Sequence, residues 1–381
     1  MDLRLNHLAK IKPKYLEWIW DRKEGSGDTT DAVAASSDMK DRDSAGFVEW
    51  LMSDQPMFWV SGKPGSGKFT LMKYLSDLNR EPEPLLCITG CQWHIVYFFF
   101  DFRASKSVAN SLEGMLRSLL AQLVRCSAAV ARHVRSTDLG QHVLGGFRNI
   151  AYDLLESTMF SCLQATESRV CVIIDGLDEF EGEFEGSYRD LIASLKCLAR
   201  DSVAKICVSG RPESAFEHAF VKVPRIKMQD FNHGTIVAYT TDLLSAYAND
   251  FLDATSVEEL VNEIADESLG VFLWVHLVCN DCVNGMFAHE TMGELQRRVE
   301  FYPRKLDEVY ERMLSKSENQ GRSEIMVLLY LIHQDHSTSN INHLRVTMQI
   351  LAQQGMLDTY PKERVGGEDF KYRLQMWLGR W

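Results

Sequence analysis

The chain has 381 residues, 45% hydrophobic and 25% charged, proportions of a globular protein long enough for two or three domains. Lys and Arg number 41 against 53 Asp and Glu, so the formal net charge is −12, a poor match to nucleic-acid binding that relies on basic surface. The 9 cysteines fall partly inside apolar runs and read as reduced core thiols of a cytoplasmic protein.

Residues 1–20 begin MDLRLNHLAK, amphipathic and mixed in charge, so no secretory leader is expected. Leu3, Leu5, Leu8, Ile11, Tyr15, Leu16, Trp18, Ile19 and Trp20 form a helix-capable apolar set, broken near Pro13 and expected to pack on the core. Residues 21–44 are small, polar and rich in Gly, Ser and Asp, and read as a flexible linker. An α/β core is expected over 45–220.

The core opens with a strand at 56–61, from Pro56, Met57, Phe58, Trp59 and Val60. It feeds Gly62, Lys63, Pro64, Gly65, Ser66, Gly67 and Lys68, the G-x-x-x-x-G-K of a phosphate-binding loop. Glycines let the backbone curl so that successive N–H groups point inward. A helix over 68–79 aims its positive end at the same point, and Lys68 adds a mobile charge for phosphate. The next position should carry a Ser or Thr hydroxyl for Mg²⁺, but it is Phe69; Thr70 follows, turned about 100° away on the helix. Binding of ATP or ADP is therefore expected, with a weakened Mg²⁺ site.

A second strand is expected at 95–100. The helix over 108–126, opened by Ser107 or Asn110, carries the core stripe Leu112, Met115, Leu116, Leu119, Leu120 and Leu123. Another helix follows at 150–166. Val170, Cys171, Val172, Ile173 and Ile174 form a run buried on both faces, ending in Asp175, Gly176, Leu177, Asp178 and Glu179. Asp175 at that strand end is the candidate Mg²⁺ holder, directly or through water, and Glu179 or Asp178 the group that polarises an attacking water. The acids could equally cap the next helix. After a helix at 187–200, the strand 205–209 leads to Gly210, Arg211 and Pro212. Ligands sit beyond the carboxyl ends of parallel strands, so Arg211 is a candidate γ-phosphate sensor.

Beyond residue 221 strand signals fade. Helices are expected at 234–249, 256–268, 270–285 and 303–318. In that stretch Trp274 reads as buried rather than stacked on a base. Cys279 and Cys282 lack two further ligands for zinc. Amphipathic stretches at 324–332 and 344–351 follow, and His333 and His336 read as solvated. No apolar run is long enough to span a membrane, and no repeat of solenoid period is present.

The stretches VCVIIDGLDEFEG, YRDLIASLKCLARDSVAKICVSGRPESAFEHAF, FVEWLMSDQPMFWVSGKPGSGK, LVNEIADESLGVFLWVHLV and YPRKLDEVYERML resemble the NACHT-type NTPase module of fungal signalling proteins. The same module is described as a nephrocystin-type N-terminal P-loop domain. The resemblance implies a STAND ATPase, a nucleotide-switched sensor that acts through self-association with protein partners. It also implies a parallel-sheet P-loop core, a helical lid over 221–318 and a partial winged-helix-like region over 319–381. Lys68, Asp175, Asp178, Glu179 and Arg211 fall on its motif positions. Phe69 departs from the Ser of that motif, and Gly210 stands where Ser is expected. Two readings follow: a switch with impaired hydrolysis, or a catalytically dead scaffold or truncated decoy that mediates protein contacts.

Overall fold

The computed structural model describes residues 13–20, 46–78, 83–101, 110–144, 151–180, 188–200, 204–248, 253–306 and 308–309. The expected linker, the amphipathic stretches after 318, and His333 and His336 lie outside these residues. The elements are α1 (Phe47–Met52), β1 (Met57–Ser61), α2 (Lys68–Asp77), α3 (Glu83–Thr89), β2 (Trp93–Phe99), α4 (Leu112–Cys126), α5 (Ala128–Ser136), α6 (Asp138–Leu144) and α7 (Tyr152–Ala165). They continue with β3 (Arg169–Asp175), α8 (Arg189–Leu198), β4 (Ala204–Gly210), α9 (Ser214–Ala219), β5 (Arg225–Lys227), α10 (Met228–Ala248), α11 (Ala254–Glu267), α12 (Phe272–Phe287) and α13 (Met292–Phe301).

The five strands form one sheet in the order β2-β3-β4-β1-β5, and every pairing is parallel. Such a sheet is covered on both faces, which is why its strands are continuous apolar runs. Side chains alternate along them. Met57, Trp59, Val172, Ile174, Ile206 and Val208 face a core shared with Met115 and Leu119 of α4, Met159 of α7 and Leu195 of α8. Phe58, Val60, Cys171, Ile173 and Cys207 face the opposite core, with Trp50 of α1 and Leu71, Met72 and Leu75 of α2. The sheet and the helices on its two faces thus form an α/β P-loop architecture in three layers.

Several elements differ from the sequence reading. β5 lies past the point where strand signals fade; it has three residues, only Ile226 is buried, and it pairs only with β1. Helix α4 starts from neither Ser107 nor Asn110 but from Ser111, whose side chain accepts the Gly114 N–H at 3.1 Å. Helices α3, α5 and α6 are short and carry no long apolar stripe, and α10 begins six residues earlier than expected, directly after β5. Ile19 and Leu16 are buried in the core beside α1, so this part of the N-terminal set does pack on the core.

Contacts divide the chain into two compact units. The described residues up to Asp242, with Leu269–Leu273, make the first; the described residues within 243–268 and from Trp274 onward make the second. The second unit is helical. Trp274 is fully buried there and its indole N–H donates to Pro303 O at 2.7 Å. Cys279 and Cys282 are buried in α12. A capping box of Thr291 and Glu294 opens α13, and Arg298 bridges Glu290 and Asp281 at 2.5 and 2.9 Å. No helix among the described residues is long and apolar enough to cross a membrane.

Candidate functional site

The loop between β1 and α2 is built by glycine. Gly65 and Gly67 take φ of 71° and 92°, the left-handed region that L side chains avoid. Gly67 is also the residue from which α2 starts. Lys68, first in the helix, turns back so that Nζ donates to Gly62 O at 2.7 Å and Lys63 O at 3.0 Å. Ser66 Oγ is buried without a hydrogen-bond partner in the protein. A buried orphan hydroxyl is costly, so its place in the loop fits a site completed by a ligand or water.

The carboxyl ends of β3 and β4 bring the other candidates toward Lys68. Asp175 is 3% exposed and accepts a hydrogen bond from Ser209 Oγ on the neighbouring strand. Gly176, at φ 75°, turns the chain into a 3₁₀ turn over Leu177–Glu179. Asp178 Oδ1 accepts the Arg211 N–H at 3.0 Å, while Oδ2 lies 3.0 Å from Arg211 Nε. Glu179 O accepts from Asn110 Nδ2 at 3.1 Å, which anchors the turn to the start of α4. Burial lowers the Lys68 pKa below its usual 10.5; Asp178, Asp175 and Glu179 oppose that shift, and Arg211 adds to it. Each of these four groups is therefore within electrostatic reach of Lys68. A Cβ on Gly210 would lie 3.2 Å from Leu177 Cβ and 3.3 Å from Asp178 Oδ1. Glycine there gives the two turns room to meet, a physical reason for its presence in place of Ser.

Phe69 is half-buried, and its ring sits 5.6 Å from that of Phe99 at 55°. The side chain thus spends itself on an aromatic contact with the end of β2. Thr70 is half-buried one position further along α2. Asp175 supplies a carboxylate suited to Mg²⁺, but Phe69 supplies no oxygen. The loop thus fits the phosphates of a nucleotide, and Asp175 fits a cation beside them.

Sequence reasoning missed three residues that hold this site. Asn232 Nδ2 donates to Ser66 O at 2.7 Å and to Gly270 O at 2.8 Å. Gln229 Oε1 accepts the Lys63 N–H at 3.4 Å. Ser209 holds Asp175. The Asn232 side chain is 1% exposed. Nothing in the sequence marked it, because the helix read from the sequence began only at residue 234.

Part of the chain is similar to known proteins. Residues 42–211 match the family model described as Nephrocystin 3, N-terminal. Over 299 residues the chain is 27% identical to the vegetative incompatibility protein HET-E-1 of Podospora anserina, covering 73% of this chain and 20% of that protein. The chain thus spans about a fifth of the length of this curated relative. Among solved structures it is similar to the Drosophila ORC bound to DNA, at 13% identity and a TM-score of 0.42, covering 99% of this chain and 87% of that one. It is also similar to the Aeropyrum pernix ORC2 protein in its ADP form, at 12% identity and a TM-score of 0.38, covering 95% and 90%. The loop before α2 lies inside the segment that matches the Nephrocystin 3, N-terminal family, and that segment together with the likeness to HET-E-1 supports a P-loop NTPase of the NACHT type.

Proposed function

We propose that this chain is a cytoplasmic adenine-nucleotide-binding switch of the STAND type, with hydrolysis impaired by Phe69. One observation carries the reading: the glycine-built loop holds Lys68 with its Nζ on loop carbonyls, and Asp175, Asp178, Glu179 and Arg211 from the ends of β3 and β4 lie within electrostatic reach of it. Residues Gly62, Lys63, Pro64, Gly65, Ser66, Gly67, Lys68, Phe69 and Thr70 cradle the phosphates of ATP or ADP. Lys68 leaves the Gly62 and Lys63 carbonyls to pair with phosphate oxygens, a stronger charge-assisted contact. Asp175 is the one acid held at the β3 end in position for Mg²⁺. That ion, when bound, neutralises phosphate charge. Glu179 orients the attacking water, with Asp178 as the neighbouring alternative. Arg211 reads the γ-phosphate by leaving its pair with Asp178. Nucleotide state then governs assembly with protein partners or further copies of the chain. The charge of −12 argues against a nucleic-acid partner.

Phe69 also favours a second reading, a catalytically dead scaffold that binds nucleotide and only mediates contacts. Phosphate release at saturating ATP and Mg²⁺ separates the two. Slow release by the natural chain, raised at least tenfold in Phe69→Ser, supports the switch; tenfold corresponds to about 1.4 kcal/mol of barrier. No release from either protein supports the scaffold. Robust release by the natural chain, unchanged by the substitution, contradicts the role given to Phe69.

A further inference from the structure

We infer that Asn232 is a positioning residue that locks the phosphate loop to the turn at Leu269–Gly270, so that loading the loop and ordering the turn are one event. The inference deepens the nucleotide-binding reading and its coupling to loading rests on it. Asn232 lies on α10, and its amide nitrogen has two N–H groups. One donates to Ser66 O at 2.7 Å, in the loop, and the other to Gly270 O at 2.8 Å, in the turn. The side chain is 1% exposed, so water has little access to replace either bond. All the residues concerned belong to the first compact unit.

The bond to Ser66 O has a directional consequence. In a trans peptide the C=O and the following N–H point opposite ways. Fixing the Ser66 carbonyl on Asn232 therefore turns the Gly67 N–H away from α10, as an anion-binding nest requires. Other contacts tie the same two segments. The Leu273 N–H donates to Gly65 O at 3.2 Å. A Cβ on Gly67 would lie 3.5 Å from Phe272 Cδ2. Gly65, Ser66 and Gly67 are thus each met by the turn or by Asn232.

The turn itself is costly. Leu269 takes φ 48° and Gly270 φ 75°, two consecutive left-handed residues. Leu269 is a branched residue in a region such side chains avoid, and it is 45% exposed. A Cβ on Gly270 would lie 2.2 Å from Gln229 O. A strained turn persists only while its surroundings over-determine it, and the buried Asn232 bond to Gly270 O is among the contacts that hold it.

The test is hydrogen exchange on the full chain, with and without ADP, for the natural protein, Asn232→Ala and Asn232→Asp. Aspartate keeps the shape but cannot donate to either carbonyl as its carboxylate, so it serves if the alanine variant does not fold. Without nucleotide, both variants are expected to speed exchange at 65–70 and at 269–274 together, at least tenfold, with 170–174 in β3 unchanged. With ADP, the natural protein slows both segments, whereas the variants slow 65–70 alone. Loosening of one segment without the other overturns the inference, as does ADP slowing 269–274 equally in variant and natural protein. If ADP slows neither segment in the natural protein, the nucleotide reading fails and coupling to loading fails with it. The nucleotide-free arm then judges the tie between loop and turn by itself.

Discussion

Lys68 shows what a single residue contributes. Its ammonium is held on two loop carbonyls, 2.7 and 3.0 Å away, and is depressed in pKa chiefly by burial. A bound phosphate exchanges those neutral acceptors for charged ones. Hydrogen bonds to charged groups contribute about 1.5–3 kcal/mol, so Lys68→Ala should weaken ADP binding by about one to two decades. Equilibrium titration of labelled ADP checks this, and equal affinity in the two proteins contradicts the loop assignment. The residues of the loop motif were legible because seven consecutive positions specify their own backbone. Phe69 was legible as a missing hydroxyl, but its packing on Phe99 was not, since the sequence shows the strand that carries Phe99 but not its position in the sheet relative to α2. Asn232 was illegible for the same reason: it meets Ser66 across 166 residues of chain.

Elements show the same division between local and distant signals. β1, β3 and β4 are visible as apolar runs because burial on both faces leaves few polar positions. β5 is invisible because three residues with one buried side chain carry no period. Lys205 illustrates a subtler case. It sits second in β4 among apolar neighbours, 8% exposed, where the sequence offers no reason for a charge. Its Nζ donates to Trp50 O at 3.1 Å, Gln55 O at 2.8 Å and Ser53 O. The ammonium thereby closes the carboxyl end of α1, where carbonyls lack helical partners and the dipole favours a cation. Lys205→Met should fill the same space yet remove the donor to the Ser53 and Gln55 carbonyls, while Trp50 O keeps its bonds from Ser53. We expect a stability loss of about 1–3 kcal/mol, read as a lower urea midpoint at unchanged slope. An unchanged midpoint would mean that water reaches those carbonyls.

At the scale of the whole molecule, buried thiols weaken the fold at alkaline pH. Burial raises the Cys171 thiol from 9.0 to about 12 and Cys162 to about 11, and pushes Cys207 well up. These groups are neutral in the fold. Below pH 9 both folded and unfolded chains keep the proton, and the contribution to stability is fully present. Above pH 9 the unfolded chain ionises first, so stability falls as pH rises toward the folded values. Each such thiol then takes about 1.4 kcal/mol per pH unit. Denaturant midpoints between pH 8 and 10.5 should decline, and less steeply in Cys171→Val. A flat profile would contradict the burial of these cysteines. The layered sheet that buries them was foreseeable from the alternation of strands and helices; its order, with β4 between the loop strand and the acid-bearing strand, was not, because strand order depends on contacts between distant segments.

The central claim is a nucleotide site that works with little help from a metal, because the loop and Lys68 are intact while Phe69 offers no oxygen. Calorimetric titration of ADP into the full chain, once with excess Mg²⁺ and once with a chelator, tests it most directly. The account predicts saturable binding of one nucleotide in both, with dissociation constants within about threefold, a difference of about 0.7 kcal/mol. Binding that requires Mg²⁺, or no binding under either condition, would contradict it.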